Sequence, residues 1–279
     1  MKWSESVQDY YPVTPRPRWG FGNATHEGIR QVLEKSRATY EANLDDIERH
    51  QEAFALVPYD RPADLLQPFW NNIWFSCLDA VSLVSFLLAR RPKHYFEVGS
   101  GHSTLFARHA IDIGKLATTI TSVDPNPRAE IDSICDRTIR TPLEGTSVDV
   151  FGELLPGDIL FFDGSHRVFT NSDVTALFFD ILPSLRPGVL VHIHDIFWPA
   201  DYPAAWNARL YSEQYVLGAM LLCAAPPFRV VFPNYFICTD DRLGKRVREI
   251  FAAKPGHEIP FFYANDAQIP GVSFWIEKI

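Results

Sequence analysis

The chain has 279 residues, 47% hydrophobic and 22% charged, a globular balance that excludes a disordered chain and can bury a core without disulfide or metal staples. A formal charge of −8, with only short basic spots such as Arg90-Arg91 and Lys245-Arg246, argues against a nucleic-acid partner, which would need a basic face. The cysteines at 77, 135, 223 and 238 form no CxxC pair, as expected of reduced thiols in a cytoplasmic protein.

Residues 1–22 are rich in Pro, Trp and Tyr without a period, and read as an extended surface arm that would suit a homodimer contact. From Asn23 to Phe54 apolar residues recur at helical spacing opposite a charged face, which predicts one long helix or two before Pro58 and Pro62 break the chain. Residues 1–70 are therefore assigned to an N-terminal arm and helical extension, a candidate lid, and 71–279 to the main domain. A helix is predicted over Asn71–Arg91. Its apolar stretch carries Asp79 and several serines, so it reads as buried rather than membrane-spanning, and no membrane partner is expected.

Beyond Pro92 the chain alternates. Apolar or β-branched runs at His94–Val98, Thr119–Val123, Thr138–Thr141, Ile159–Phe162 and Val189–Ile193 predict strands. Helices are predicted at Ser103–Ile113, Arg128–Cys135 and Asn171–Leu185. Strands alternating with helices imply a doubly wound α/β domain with a mostly parallel sheet covered on both faces. The remainder predicts helices at Tyr211–Ala225 and Arg242–Ala253. Arg229–Cys238 and Val272–Glu277 are strand-like, the last an antiparallel strand at the sheet edge.

The strand 94–98 leads into Glu97-Val98-Gly99-Ser100-Gly101-His102-Ser103-Thr104, a loop at the carboxyl end of a strand, where such sheets bind ligands. Glycines permit close backbone approach, and Ser103 or Thr104 can cap the next helix. Thr104 stands where a dinucleotide fingerprint has its third glycine. Glu97 would repel a pyrophosphate but accept hydrogen bonds from the ammonium of a bound amino acid. Asp124 ends the next strand, 25 residues after Gly99, where a carboxylate can accept hydrogen bonds from ribose hydroxyls.

With Asp163-Gly164-Ser165-His166 and His194-Asp195-Ile196 downstream, the chain over roughly residues 70–279 resembles the class I S-adenosylmethionine (SAM)-dependent methyltransferases, and more narrowly the branch that includes catechol-type and macrolide-sugar O-methyltransferases. The resemblance implies a Rossmann-like seven-stranded sheet and SAM as cofactor. It implies that Glu97, Gly99, Ser100 and Gly101 meet the methionine end and ribose, with Ser103 and Thr104 in the same loop. Asp124 would meet the ribose, Leu143 and Glu144 the adenine, with Asp163 on the cofactor's edge.

Methyl transfer to a hydroxyl needs an acceptor held in line and a group to take its proton. Asp163, His166, His194 and Asp195, all at strand ends, are the candidate catalytic residues; His192, one step further inside its strand, reads as a core histidine. In catechol-type relatives an Asp and an Asp-Asn pair bind magnesium. Asp163 matches the first, but His194-Asp195 stands at the pair, so Mg2+ on Asp163 and Asp195 competes evenly with a metal-free histidine base. Trp198 and Tyr202 in the aromatic segment after Asp195, with Glu213 and Gln214 at the next helix start, are candidate contacts to a small-molecule acceptor. Two alternatives remain at this point: a nicotinamide-dependent oxidoreductase, and a non-catalytic methyltransferase-like scaffold.

Overall fold

The computed structural model describes residues 14–127, 130–264 and 269–279. Seven strands form one sheet in the order β3-β2-β1-β4-β5-β7-β6. They are β1 (His94–Val98), β2 (Thr119–Val123), β3 (Arg137–Ile139), β4 (Ile159–Phe162), β5 (Leu190–Ile193), β6 (Phe228–Pro233) and β7 (Phe274–Lys278). The first five pair in parallel. β7 runs antiparallel to both β5 and β6, so the reversed strand sits one place in from the β6 edge. The central strands are buried on both faces, which is why their sequences are continuous apolar runs such as Ile159-Leu160-Phe161-Phe162.

Helices α1 (Glu27–Glu34), α2 (Arg37–Arg49) and α3 (Gln51–Ala55) divide the predicted N-terminal helix into three. Their apolar stripe (Ile29, Leu33, Tyr40, Leu44, Ile47) joins the same hydrophobic core as the sheet. Trp19 packs on His26 and Trp198 of its own chain, and residues 1–13 of the expected arm lie outside the described residues.

α4 (Cys77–Arg90) is buried from Cys77 to Leu87 and starts six residues later than predicted. Asn72 explains the delay: its side chain bonds the backbone of Phe69, Trp74 and Phe75, holding a loop there instead. α5 (His102–Ile113) follows the first loop. In place of a helix at Arg128–Cys135 there is a single 3₁₀ turn, Asp132–Ile134; residues 128–129 lie outside the described residues. α6 (Asp173–Thr175) passes through a π turn (Ala176–Ile181) into α7 (Leu182–Ser184). α8 (Glu213–Leu221) and α10 (Asp241–Ala252) lie where helices were expected.

The predicted strand Arg229–Cys238 is corrected: it ends at Pro233, and Asn234–Thr239 is helix α9. Apolar runs on both sides of Pro233-Asn234 show no period that distinguishes the two states. Of the four free cysteines, Cys77 and Cys238 are buried, Cys135 is half-buried and Cys223 is exposed. Among the described residues no helix is long and apolar enough to cross a membrane.

Candidate functional site

Parallel pairing brings the carboxyl ends of β1, β2, β4 and β5 to one rim, through the register Val98–Val123, Val98–Phe162 and Phe162–Ile193. Gly99 lies at φ +76°, and a Cβ there would stand 1.8 Å from the Asp163 carbonyl oxygen. Only glycine lets the loops after β1 and β4 meet this closely. Gly101 caps α5, and its N–H donates to Thr104 Oγ1 at 3.0 Å. The Thr104 hydroxyl in turn donates to Glu97, as does Tyr95 at 2.9 Å. Burial pushes the Glu97 carboxyl up to about 7, against the lowering effect of its Thr104 hydrogen bond. Glu97, Ser103 and Thr104 are thus buried props beneath the loop; they do not line the cavity above it, and neither does Gly101.

That cavity, of about 490 Å³, is lined by Gly99, Ser100, Asp124, Leu143, Glu144 and Asp163 among others. Asp124 ties two loops together, accepting from Ser100 N at 2.8 Å and Asn126 N at 2.7 Å. Leu143 and Glu144 stand in a 3₁₀ turn after β3. The charged residues of its lining are Asp124, Glu144, Asp163 and Asp173; no lysine or arginine is among the described lining residues.

A second cavity, of about 290 Å³, shares Asp163 with the first and holds His166, His194 and Asp195. His166 Nε2 lies 3.1 Å from Asp163 Oδ1 and 3.4 Å from Asp195 Oδ2, while Nδ1 is hydrogen-bonded to the fully buried Glu213. His194 repeats the scheme: Nδ1 lies 3.5 Å from both Asp163 and Asp195, and Nε2 lies 3.4 Å from the fully buried Asp79. That last contact is close enough for charge attraction but is not aligned as a hydrogen bond. Two imidazoles therefore face a shared Asp pair, each backed by one carboxylate at a helix start.

Burial opposes charge on both histidines, yet Glu213, Asp195 and Asp163 hold His166 well above the usual histidine range, and Asp163, Asp195 and Asp79 do the same for His194. Conversely, burial raises Asp163 but the two imidazoles outweigh it and hold that carboxyl well below its usual range. Burial lifts Asp195, and lifts Glu213 to about 7 with His166 pulling the other way. Asp79 is held at about 2: burial raises it, but His194, Tyr263 and the Val272 amide prevail. His166 (φ +60°) and Asp195 (φ +56°) both occupy the left-handed region, a cost of about 1–3 kcal/mol each that surrounding contacts must offset.

His192 lies in the core, stacked on Phe161 with ring centroids 3.8 Å apart and bonded to Ser273 Oγ at 2.7 Å. The four expected acceptor contacts do not line the second cavity. Trp198 donates to the Gln214 carbonyl at 2.6 Å, Gln214 holds Phe197 N and Ala200 O, Tyr202 packs beneath the loop, and Glu213 backs His166. The wall is built instead by Ile73, Trp74, Trp206, Arg209, Tyr211 and Tyr263, among others. Asp79 also escaped the sequence reading; its one signal was a charge inside an otherwise apolar helix. Asp163 and Asp195 each lie within 3.5 Å of both imidazoles. Among the described residues no group of three His, Cys, Asp or Glu side chains is disposed around a metal ion, so the candidate Mg2+ pair, Asp163 and Asp195, is not supported.

Residues 96–196 match a family model described as "Methyltransferase domain". No curated protein matches the chain. Several solved structures resemble it. An O-methyltransferase from Bacillus cereus in complex with SAH is 15% identical, with 85% of this chain and 90% of that one covered and a TM-score of 0.36. The SAH-bound methyltransferase PaMTH1 of Podospora anserina is 16% identical, with 78% and 93% covered and a TM-score of 0.40. The O-methyltransferase TomG of Streptomyces achromogenes, in complex with SAM, is 14% identical, with 91% and 98% covered and a TM-score of 0.35.

Proposed function

We propose, from the premise that residues 96–196 form a methyltransferase domain of the class I SAM-dependent type, that this chain methylates a hydroxyl of a small-molecule acceptor. The observation that carries the reading is the charge of the first cavity. Four acidic side chains and no described basic one suit a cationic nucleoside and oppose the pyrophosphate of a nicotinamide cofactor. In this reading Asp124 meets the ribose, Gly99 and Ser100 line the methionine side, and Leu143 and Glu144 flank the base. When bound, SAM supplies the methyl group and the positive charge on sulfur. The chemistry belongs to residues 71–279; 1–70 support it. The free thiols accord with a cytoplasmic location.

The acceptor occupies the second cavity, with Asp163 between the two ligands. His166 Nε2 takes the hydroxyl proton: the O–H bond breaks, an N–H bond forms, and the electron pair stays on the acceptor oxygen. Glu213 fixes the ring through Nδ1 and stabilises the imidazolium, which makes Nε2 the nitrogen that takes the proton once the ring is neutral. Asp163 and Asp195 hold the proton once it is there, and His194, backed by Asp79, keeps that Asp pair in place. No step is assigned to a metal ion.

Calorimetry with SAM and with NADH, each with and without magnesium, tests the reading. Micromolar SAM binding, no NADH binding and no magnesium dependence are expected. NADH binding without SAM binding would overturn it.

A further inference from the structure

The second cavity is lined by two unlike sets of charged groups. One is the His/Asp cluster. The other is Arg209, which makes no ion pair within 4.0 Å among the described residues. It lines the same cavity as Asp195, whose carboxyl it draws downward against the effect of burial. Its position is built. The guanidinium lies 3.8 Å over the Trp206 ring and 5.6 Å from that of Tyr211. The Arg209 carbonyl accepts from Arg167 Nε at 2.9 Å, and Leu210 turns the chain at φ +56°. Stacking on an indole uses the face of a guanidinium and leaves its in-plane N–H fork open. The rest of the lining is apolar and aromatic, with Ile73, Trp74, Tyr263, Ile269 and Val272 beside Trp206 and Tyr211. A cavity of about 290 Å³ between such walls suits a ring rather than an extended chain.

We infer that the acceptor is a hydroxylated aromatic acid, its hydroxyl at His166 and its carboxylate received by the Arg209 fork. The carboxylate suits the fork as a planar bidentate partner. It also resolves an electrostatic problem, because a site of four carboxylates and two imidazoles repels an anion unless a cation in the same cavity meets it.

The inference rests on the methyltransferase reading, and the experiment separates the two. The full chain is titrated with SAM, and then, saturated with SAH, with 3,4-dihydroxybenzoate and with its methyl ester, for wild type and Arg209→Gln. The acid is expected to bind wild type about tenfold more tightly than the ester, and Arg209→Gln to remove that preference while leaving SAH affinity unchanged. Equal binding of acid and ester, a preference that survives in Arg209→Gln, or binding of neither overturns the inference. Failure of SAM to bind overturns the methyltransferase reading instead. Arg209 is exposed, so its replacement does not threaten the fold.

Discussion

Glu213 Oε1 is hydrogen-bonded to His166 Nδ1 across 47 residues of sequence, and Oε2 of the same buried carboxyl has no hydrogen-bond partner among the described residues. The carboxyl therefore spends its one strong contact on orienting this ring.

Glu213→Gln keeps the shape and removes the charge. The expected result is a fall in kcat of about 10²- to 10⁴-fold, as for loss of a general base, with SAM affinity unchanged. The pH profile adds a readout that a merely structural role would not move. In wild type the nearby carboxylates hold His166 well above the usual range, so activity climbs on the alkaline side as Nε2 loses its proton. Removing one of those charges lowers the histidine value and moves the climbing limb to lower pH. An unshifted limb would refute the assignment.

Asp79→Asn breaks a buried charge pair and is expected to lower stability by about 3–5 kcal/mol in thermal or urea unfolding. The folded value of about 2 lies below the unfolded 3.8. Wild type therefore gains stability that is full above about pH 4 and lost as pH falls toward 2, an effect of about 2–3 kcal/mol. The variant should lack this acid limb.

Glu97 has the opposite sign. Its folded value, about 7, lies above the ordinary 4.5, so the fold loses stability as pH rises from 4.5 through 7 and stays lower above it. Glu97→Gln should remove that decline and melt at a higher temperature than wild type at pH 8. SAM affinity should change by less than about tenfold, since the side chain faces Thr104 and Tyr95. A larger loss would return Glu97 to contact with the ligand.

Gly99→Ala places a methyl group against the Asp163 carbonyl at a φ that favours glycine. Moving the loop after β4 displaces Asp163 from both cavities. We expect SAM binding and acceptor binding to fall together, with a stability loss of about 3 kcal/mol or more, measured by calorimetry and thermal unfolding.

β1, β2 and β4 were legible to the residue because apolar runs buried on both faces have sharp polar ends. The same logic located Asp163, His166, His194 and Asp195 at the rim. Asp79 was not legible, because its partners Val272, Ser273 and Asn234 come from the far end of the chain. Glu213 was found, but as an acceptor contact; at a helix start a carboxylate reads equally as a dipole partner, and only the fold reveals His166 behind it. Trp198 and Gln214 were misplaced for a related reason: an aromatic loop over a site has an inner and an outer side that spacing does not separate. Arg209 carried no signal, since a single arginine at the end of an aromatic segment reads as an ordinary solvated charge.

The two cavities share one residue of their linings, Asp163. Its backbone is locked to Val98 and Gly99, so the shared residue belongs to the sheet, whereas much of the outer wall of the second cavity belongs to loops. Those loops can be rebuilt around a new acceptor without disturbing the donor side, which makes the chain a ready scaffold for specificity exchange by loop grafting. On the proposed assignment of the two cavities, an inhibitor joining an adenosine half to an aromatic half has to pass Asp163, the residue that both linings share.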